Sequence, residues 1–403
     1  MEKISFFEAR AILLEAVKPV GTETISLSDC GGRILARELT AAEDSPAFDR
    51  SPYDGYAFRA ADSAGASIEK PVTLRILEEV PAGAMPTQFV SEGTAVKILT
   101  GAPIPSGADA VVMYEKTRFS GETVSLFAPA KSGDNIIYAG EDVRKGQLLA
   151  SCGDVIDPGL AGTLAAQGVA TPRVYRVPKV AILATGSELV EADERPGTGK
   201  IRNSNRYMLE TALKALGCET VYLGITGDSA AEICDLIQQG LHECDAVVST
   251  GGVSAGDYDL TPDALRMAGA RILFHGIDLK PGMACTYALC GGKLICALSG
   301  NPASAMTNFY AVAVPALKKL AGWRSAMPEE MELTLAEGFG KTSQGTRLLR
   351  GRLVLKDGKA WMHLPRDQGN VVLSSTIGCN VMAIVPAGSG PIPAGTTLKG
   401  FLL

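Results

Sequence analysis

The stretch Asp245–Asp259, "DAVVSTGGVSAGDYD", decides how this chain is read. Its first half, Ala246–Thr250, is a short apolar run closed by two hydroxyls, as in a buried strand. Its second half holds Gly251, Gly252 and Gly256, then Asp257 and Asp259 with one residue between them. Glycines beside carboxylates at a strand end describe a loop built to hold something. A ligand with charged oxygens is the natural candidate.

Working outward, the same grammar repeats. "KVAILATGSEL" (179–189) is an apolar strand ending in a glycine turn, and "SNRYMLETALKALGC" (204–218) is a helix. "ETVYLGITGD" (219–228) is a second strand, and "SAAEICDLIQQGLHE" (229–243) a second helix. Strands alternating with helices of this length predict a parallel sheet with crossover helices. "SGNPASAMTNFYAVAVPALKKLAG" (299–322) predicts a closing helix, with Asn301 placed to cap it and Pro302 at its first position.

The flanking segments differ. Residues 1–45 open on a helix and, with residues 139–177, predict a discontinuous N-terminal helical and linker domain. Residues 46–138 read as short strands and turns, a β-rich inserted domain. Residues 178–325 form the α/β section, and 326–403 read as a small C-terminal β-barrel-like domain. The fold class is therefore multidomain α/β plus β.

Composition narrows the function. At 403 residues and 46% hydrophobic content the chain is globular and multidomain. A net charge of −6 argues against general nucleic-acid binding. The N-terminus reads as an amphipathic helix with no signal peptide, and no apolar run is long enough for a bilayer, so no membrane role is expected. Nine scattered cysteines without a CxxC pair fit free thiols in the cytoplasm. His242, His275 and His363 stand far apart, which disfavours a histidine-rich zinc site.

In an open parallel sheet, ligands sit beyond the carboxyl ends of the strands. There the chain places Thr185, Gly186, Ser187 and Glu188, then Thr226, Gly227 and Asp228, then Ser249 to Asp259, including Ser254. The last turn adds Ser299, Gly300, Asn301 and Pro302. Glycines and hydroxyls let backbone N–H groups approach an anion, whereas carboxylates repel one unless a cation bridges them. Together they point to a phosphate-bearing ligand held through Mg²⁺. Taken alone, Asp228 reads as a helix N-cap, and Glu188 is evenly balanced between a solvated acid and a functional one. No G-x-x-x-x-G-K-[ST] loop and no dinucleotide fingerprint is present.

"TGSEL", "TGGVSAGDYD" and "SGNPASA", in this order, resemble the molybdopterin molybdenumtransferase family, to which the gephyrin E domain is related. "SPYDGYAFR" (51–59), "ILTGAPIPSGADAVVMYE" (98–115), "AGEDVRKGQ" (139–147) and "GKIRNSNRYML" (199–209) extend the resemblance over nearly the whole chain. It implies an elongated, four-domain homodimer with a cleft shared between subunits. It also implies molybdate insertion into adenylylated molybdopterin, with Mg²⁺, yielding molybdenum cofactor and AMP. Molybdopterin adenylyltransferase and molybdoenzyme apoproteins or their chaperones become partners by implication. By matching, Asp54 and Thr100 come from the second domain, and Glu188, Asp228 and Asp259 are the acids, the latter three also the metal ligands. Gly186, Ser187, Gly251, Gly252, Ser254, Asp257, Lys280, Ser299, Gly300, Asn301 and Pro302 would contact substrate, Lys280 as the cation. Without the resemblance, Asp54 reads as a β-turn residue and Thr100 as a hydroxyl capping its own turn.

Three positions depart from the family pattern. Met283 stands where K-P-G-K-P has its second lysine, Ser299 where P-G-N-P has its first proline, and Ile137 where an arginine is common. Two of these remove positive charge, which opens two alternatives, a tungstate-specific enzyme or a non-catalytic molybdopterin-binding scaffold. An adenylyltransferase is a third reading, disfavoured by the extra domains.

Overall fold

A computed structural model describes residues 4–253 and 260–403. The chain divides into two compact units, residues 1–37, 152–158 and 171–403 in one, and residues 38–151 and 159–170 in the other. Among the described residues, no helix is long and apolar enough to cross a membrane.

The larger unit is organised by a six-stranded sheet. Its strands are β1 (Lys179–Thr185), β2 (Glu219–Thr226), β3 (Ala246–Thr250), β4 (Arg271–His275), β5 (Cys285–Cys290) and β6 (Lys293–Leu298). Their order across the sheet is β2-β1-β3-β6-β5-β4. The first four in that order run parallel, as expected. The last two pairings, β6 with β5 and β5 with β4, are antiparallel, so the sheet is mixed and the expectation of a parallel sheet is corrected. The reason is local. Gly291 and Gly292 join β5 to β6 with positive φ at both positions, the geometry of a tight hairpin turn.

Helices α1 (Ser204–Ala215), α2 (Ala230–Glu243) and α3 (Thr261–Met267) follow β1, β2 and β3, and α4 (Pro302–Asn308) follows β6. The central strands are apolar on both faces because both faces are covered. Val180, Ile182, Val248 and Cys296 pack on one side with Leu209, Leu213 and Phe309. Ala181, Leu183, Val247 and Ile295 pack on the other with Ile233, Ile237 and Leu265. Each buried Val, Ile or Leu contributes about 1.5–3 kcal/mol, so strand register, and with it the position of every strand-end loop, is strongly fixed. The N-terminal segment joins this unit. Ile4–Ser5 pairs with Ile277–Asp278. Ser5 and Glu8 then form a reciprocal capping box that starts the helix Phe6–Ala16. At the other end, five strands between Glu330 and Leu402 close into a barrel around Leu333, Leu349, Met362 and Val381.

The smaller unit is built on its own six-stranded sheet, ordered Ala110–Met113, Gly55–Phe58, Thr94–Ile98, Val72–Val80, Thr123–Leu126, Thr117–Ser120. Tyr56, Phe58, Leu74 and Val124 fill one face, and Ala57, Val96, Ile98 and Val111 the other.

Candidate functional site

The carboxyl ends of β1, β2, β3 and β6 converge on one cavity of about 580 Å³. Its wall includes Thr185, Gly186, Glu188, Asp228, Gly251, Gly252, Ser299, Gly300, Asn301 and Pro302, whereas the rim candidates Ser187, Thr226, Gly227 and Ser249 do not line it. Ser254, Asp257 and Asp259 lie outside the described residues.

Backbone packing makes this wall. The Gly186 N–H donates to the Thr226 carbonyl at 3.0 Å, and the Gly251 N–H to the Leu298 carbonyl at 3.0 Å, so adjacent strand-end turns are stitched together. Gly251 has φ +96°, and a Cβ there would stand 2.2 Å from the Thr185 carbonyl oxygen. Only glycine fits that approach. A Cβ on Gly186 would meet the Glu188 carboxylate at 2.4 Å, so this acid folds back over its own turn.

Asp228 is not the N-cap of α2. Ser229 takes that place, its hydroxyl accepting the Glu232 N–H at 3.4 Å. This leaves the Asp228 carboxylate on the cavity wall, where it accepts the Ser187 N–H at 3.4 Å. Lys200 donates its Nζ to the Ser187 carbonyl, so the turn is held from both sides. Asn301 occupies the N-cap position of α4 but makes no side-chain capping bond.

The sequence reading did not single out Lys200, Arg202, Asn203 or Asn205, although "GKIRNSNRYML" contains all four. Arg202, Asn203 and Asn205 line the cavity. Asn203 is 2% exposed and caps α1 by accepting the Arg206 N–H at 3.2 Å. Its Nδ2 donates to the Tyr222 hydroxyl, which donates to Glu191 at 2.5 Å, and Glu191 also pairs with Arg206 at 2.8 Å. Burial first, and then Glu191, push the Tyr222 phenol well up, so it stays a donor. Asn205 Nδ2 donates to the Gly300 carbonyl at 2.9 Å, joining α1 to the turn after β6.

Lys280 is not part of this wall. It is exposed, and its backbone pairs with Thr346 and Leu348.

In the smaller unit, Asp54 and Thr100 come together across 46 residues of sequence. The Thr100 N–H and hydroxyl both donate to Asp54 Oδ1 at 2.7 Å. The N–H first, then the hydroxyl, hold the Asp54 carboxyl below the usual carboxylate range. Thr100 therefore serves Asp54 and does not cap its own turn. Ile137 exchanges backbone hydrogen bonds with Arg50.

Among the described residues, no three His, Cys, Asp or Glu side chains cluster as a ready metal cage. Glu188 and Asp228 nevertheless suit Mg²⁺, which commonly takes one or two carboxylates together with substrate phosphate oxygens.

Residues 4–168 match the model of the MoeA N-terminal region (domain I and II), and residues 181–319 match a probable molybdopterin binding domain. The molybdopterin molybdenumtransferase of Staphylococcus epidermidis is 36% identical over 400 residues, 99% of this chain and 95% of that protein. The chain belongs to the molybdopterin molybdenumtransferase family. The Staphylococcus aureus relative of the same name is 36% identical over 93% of this chain and 90% of its own length. The molybdopterin biosynthesis moeA protein of Pyrococcus horikoshii superposes with TM-score 0.86 at 30% identity, covering 100% of both chains. The molybdenumtransferase family thus accounts for the order of the motifs and for the fold that brings the rim together.

Proposed function

We propose that this chain inserts molybdate into adenylylated molybdopterin, releasing AMP and completing the molybdenum cofactor. Membership of the family supports a role in molybdenum cofactor biosynthesis. The observation that carries the reading is the composition of the rim cavity. Backbone turns at Gly186, Gly251 and Gly300 stand beside two carboxylates, Glu188 and Asp228, in one wall. Such a wall suits an anionic ligand that arrives with a cation.

Glu188 and Asp228, with Asp259, would hold Mg²⁺, which when bound neutralises charge on phosphate oxygens. The chain's own groups do the rest. Turn N–H groups and the hydroxyls of the rim orient the phosphates, and Lys280 adds a cation outside the wall. Asp54, kept anionic by Thr100, orients a reacting water or oxygen. In this reading the protein acts as a cytoplasmic homodimer. A molybdopterin adenylyltransferase supplies its substrate, and molybdoenzyme apoproteins or chaperones take its product.

One assay tests the reading. Purified protein is incubated with adenylylated molybdopterin, Mg²⁺ and molybdate, with tungstate in parallel, and AMP is followed. Oxyanion-dependent AMP release is expected. Tight binding without release would replace the transferase by a scaffold, and AMP transfer from ATP to free molybdopterin by an adenylyltransferase. Light scattering of the same sample checks the dimer.

A further inference from the structure

We propose that the Ser299 hydroxyl is a specificity donor, turning its O–H into the rim cavity to bond an oxygen of a tetrahedral oxyanion. Ser299 follows β6, lines the cavity and is 7% exposed. Its Oγ accepts the Asn301 N–H at 3.2 Å. A serine hydroxyl carries one proton and two lone pairs, so this bond uses a lone pair and leaves the proton. Among the described residues no acceptor takes that proton. Buried polar hydrogens find partners, and the open space beside this one is the cavity.

The hydroxyl is also held in place. Asn205 pins the Gly300 carbonyl at 2.9 Å. A Cβ on Gly300 would come within 3.7 Å of Gly251 Cα, so the turn lies against the neighbouring strand-end loop. Pro302 then begins α4 with its φ preset. The donor therefore faces the ligand without rearrangement, which is when a hydrogen bond adds most to affinity. The proline of the family pattern offers no such donor.

The inference rests on the cavity being the anion site, and the test separates the two. The full chain and its Ser299→Ala, Ser299→Pro and Ser299→Thr variants are titrated calorimetrically with AMP and, separately, with molybdate. Thermal melts confirm folding. A hydrogen bond to a charged oxygen predicts about a tenfold loss of affinity in both the Ala and Pro variants. The Thr variant, which keeps the hydroxyl, stays within about twofold. The ligand that weakens identifies whose oxygen is read, phosphate or molybdate. If wild type binds and neither ligand weakens in the Ala and Pro variants, Ser299 is only a turn residue and the proposal is wrong. If wild type binds neither ligand, the anion-site reading fails and takes this inference with it.

Discussion

The rim cavity and the Asp54–Thr100 pair hold their functional groups by different means. At the rim, main chain does most of the holding. Four strand ends are locked in register by a two-sided apolar core, and glycines let their turns approach within distances no side chain permits. In the smaller unit, two exposed side chains meet in the turns beside the ends of two paired strands, and two hydrogen bonds define the arrangement. The first arrangement is expensive to perturb and tolerant of side-chain charge changes. The second is cheap to perturb but sensitive in its titration. Function therefore fails for different reasons in the two places, which can be measured.

The largest effect is expected at Gly251. An alanine there adopts a left-handed φ and presses on the Thr185 carbonyl, which should cost about 3 kcal/mol in chemical denaturation. A Gly251→Ala protein as stable as wild type would show that the rim relaxes freely, and the contrast with the Asp54 pair would collapse.

Next come the carboxylates. Asp228→Asn and Glu188→Gln keep size and hydrogen-bonding capacity but remove charge. AMP release should fall roughly a hundredfold, with stability changed by less than about 0.5 kcal/mol. The half-saturating Mg²⁺ concentration should rise in both. Loss of activity with an unaltered Mg²⁺ titration would remove these acids from metal binding.

Thr100→Val sharpens the other side of the comparison. It deletes the hydroxyl donor and leaves the N–H, so the Asp54 carboxyl should titrate at higher pH than in wild type, as read by carboxyl NMR. The sign follows from the depressed folded value. The hydrogen bonds stabilise the protein above the unfolded value of about 4, and that contribution is lost as pH falls through the folded value. The stability difference between the two proteins should thus be present at neutral pH and vanish in strong acid. A pH-independent difference would mean that Thr100 acts by packing.

The smallest effect is expected at Met283, which is 47% exposed and does not line the cavity. Met283→Lys should lower the half-saturating molybdate concentration by about threefold, and salt should erase the gain. A salt-insensitive change would point to conformation in place of charge.

What the sequence by itself determined is the part written in local pattern. Apolar runs of strand length, helices between them and glycines at strand ends specify an α/β unit with a rim, because periodicity and turn chemistry act over a few residues. The antiparallel hairpin was legible too, in "LCGGKL", had the paired glycines been weighed against the parallel rule. Family motifs carried Asp54 and Thr100, which composition and spacing alone would have assigned to turns. The tertiary structure decided the partnerships. Ser229 caps α2 and frees Asp228 for the wall, a one-residue choice that local propensity cannot make because Asp and Ser cap about equally well. Asn205 reaches Gly300 across 95 residues, and Thr100 reaches Asp54 across 46. Such contacts depend on how whole elements pack, so no local pattern encodes them. For the same reason Lys280 stands apart from the cavity wall although its motif runs straight to Ala284, which lines it.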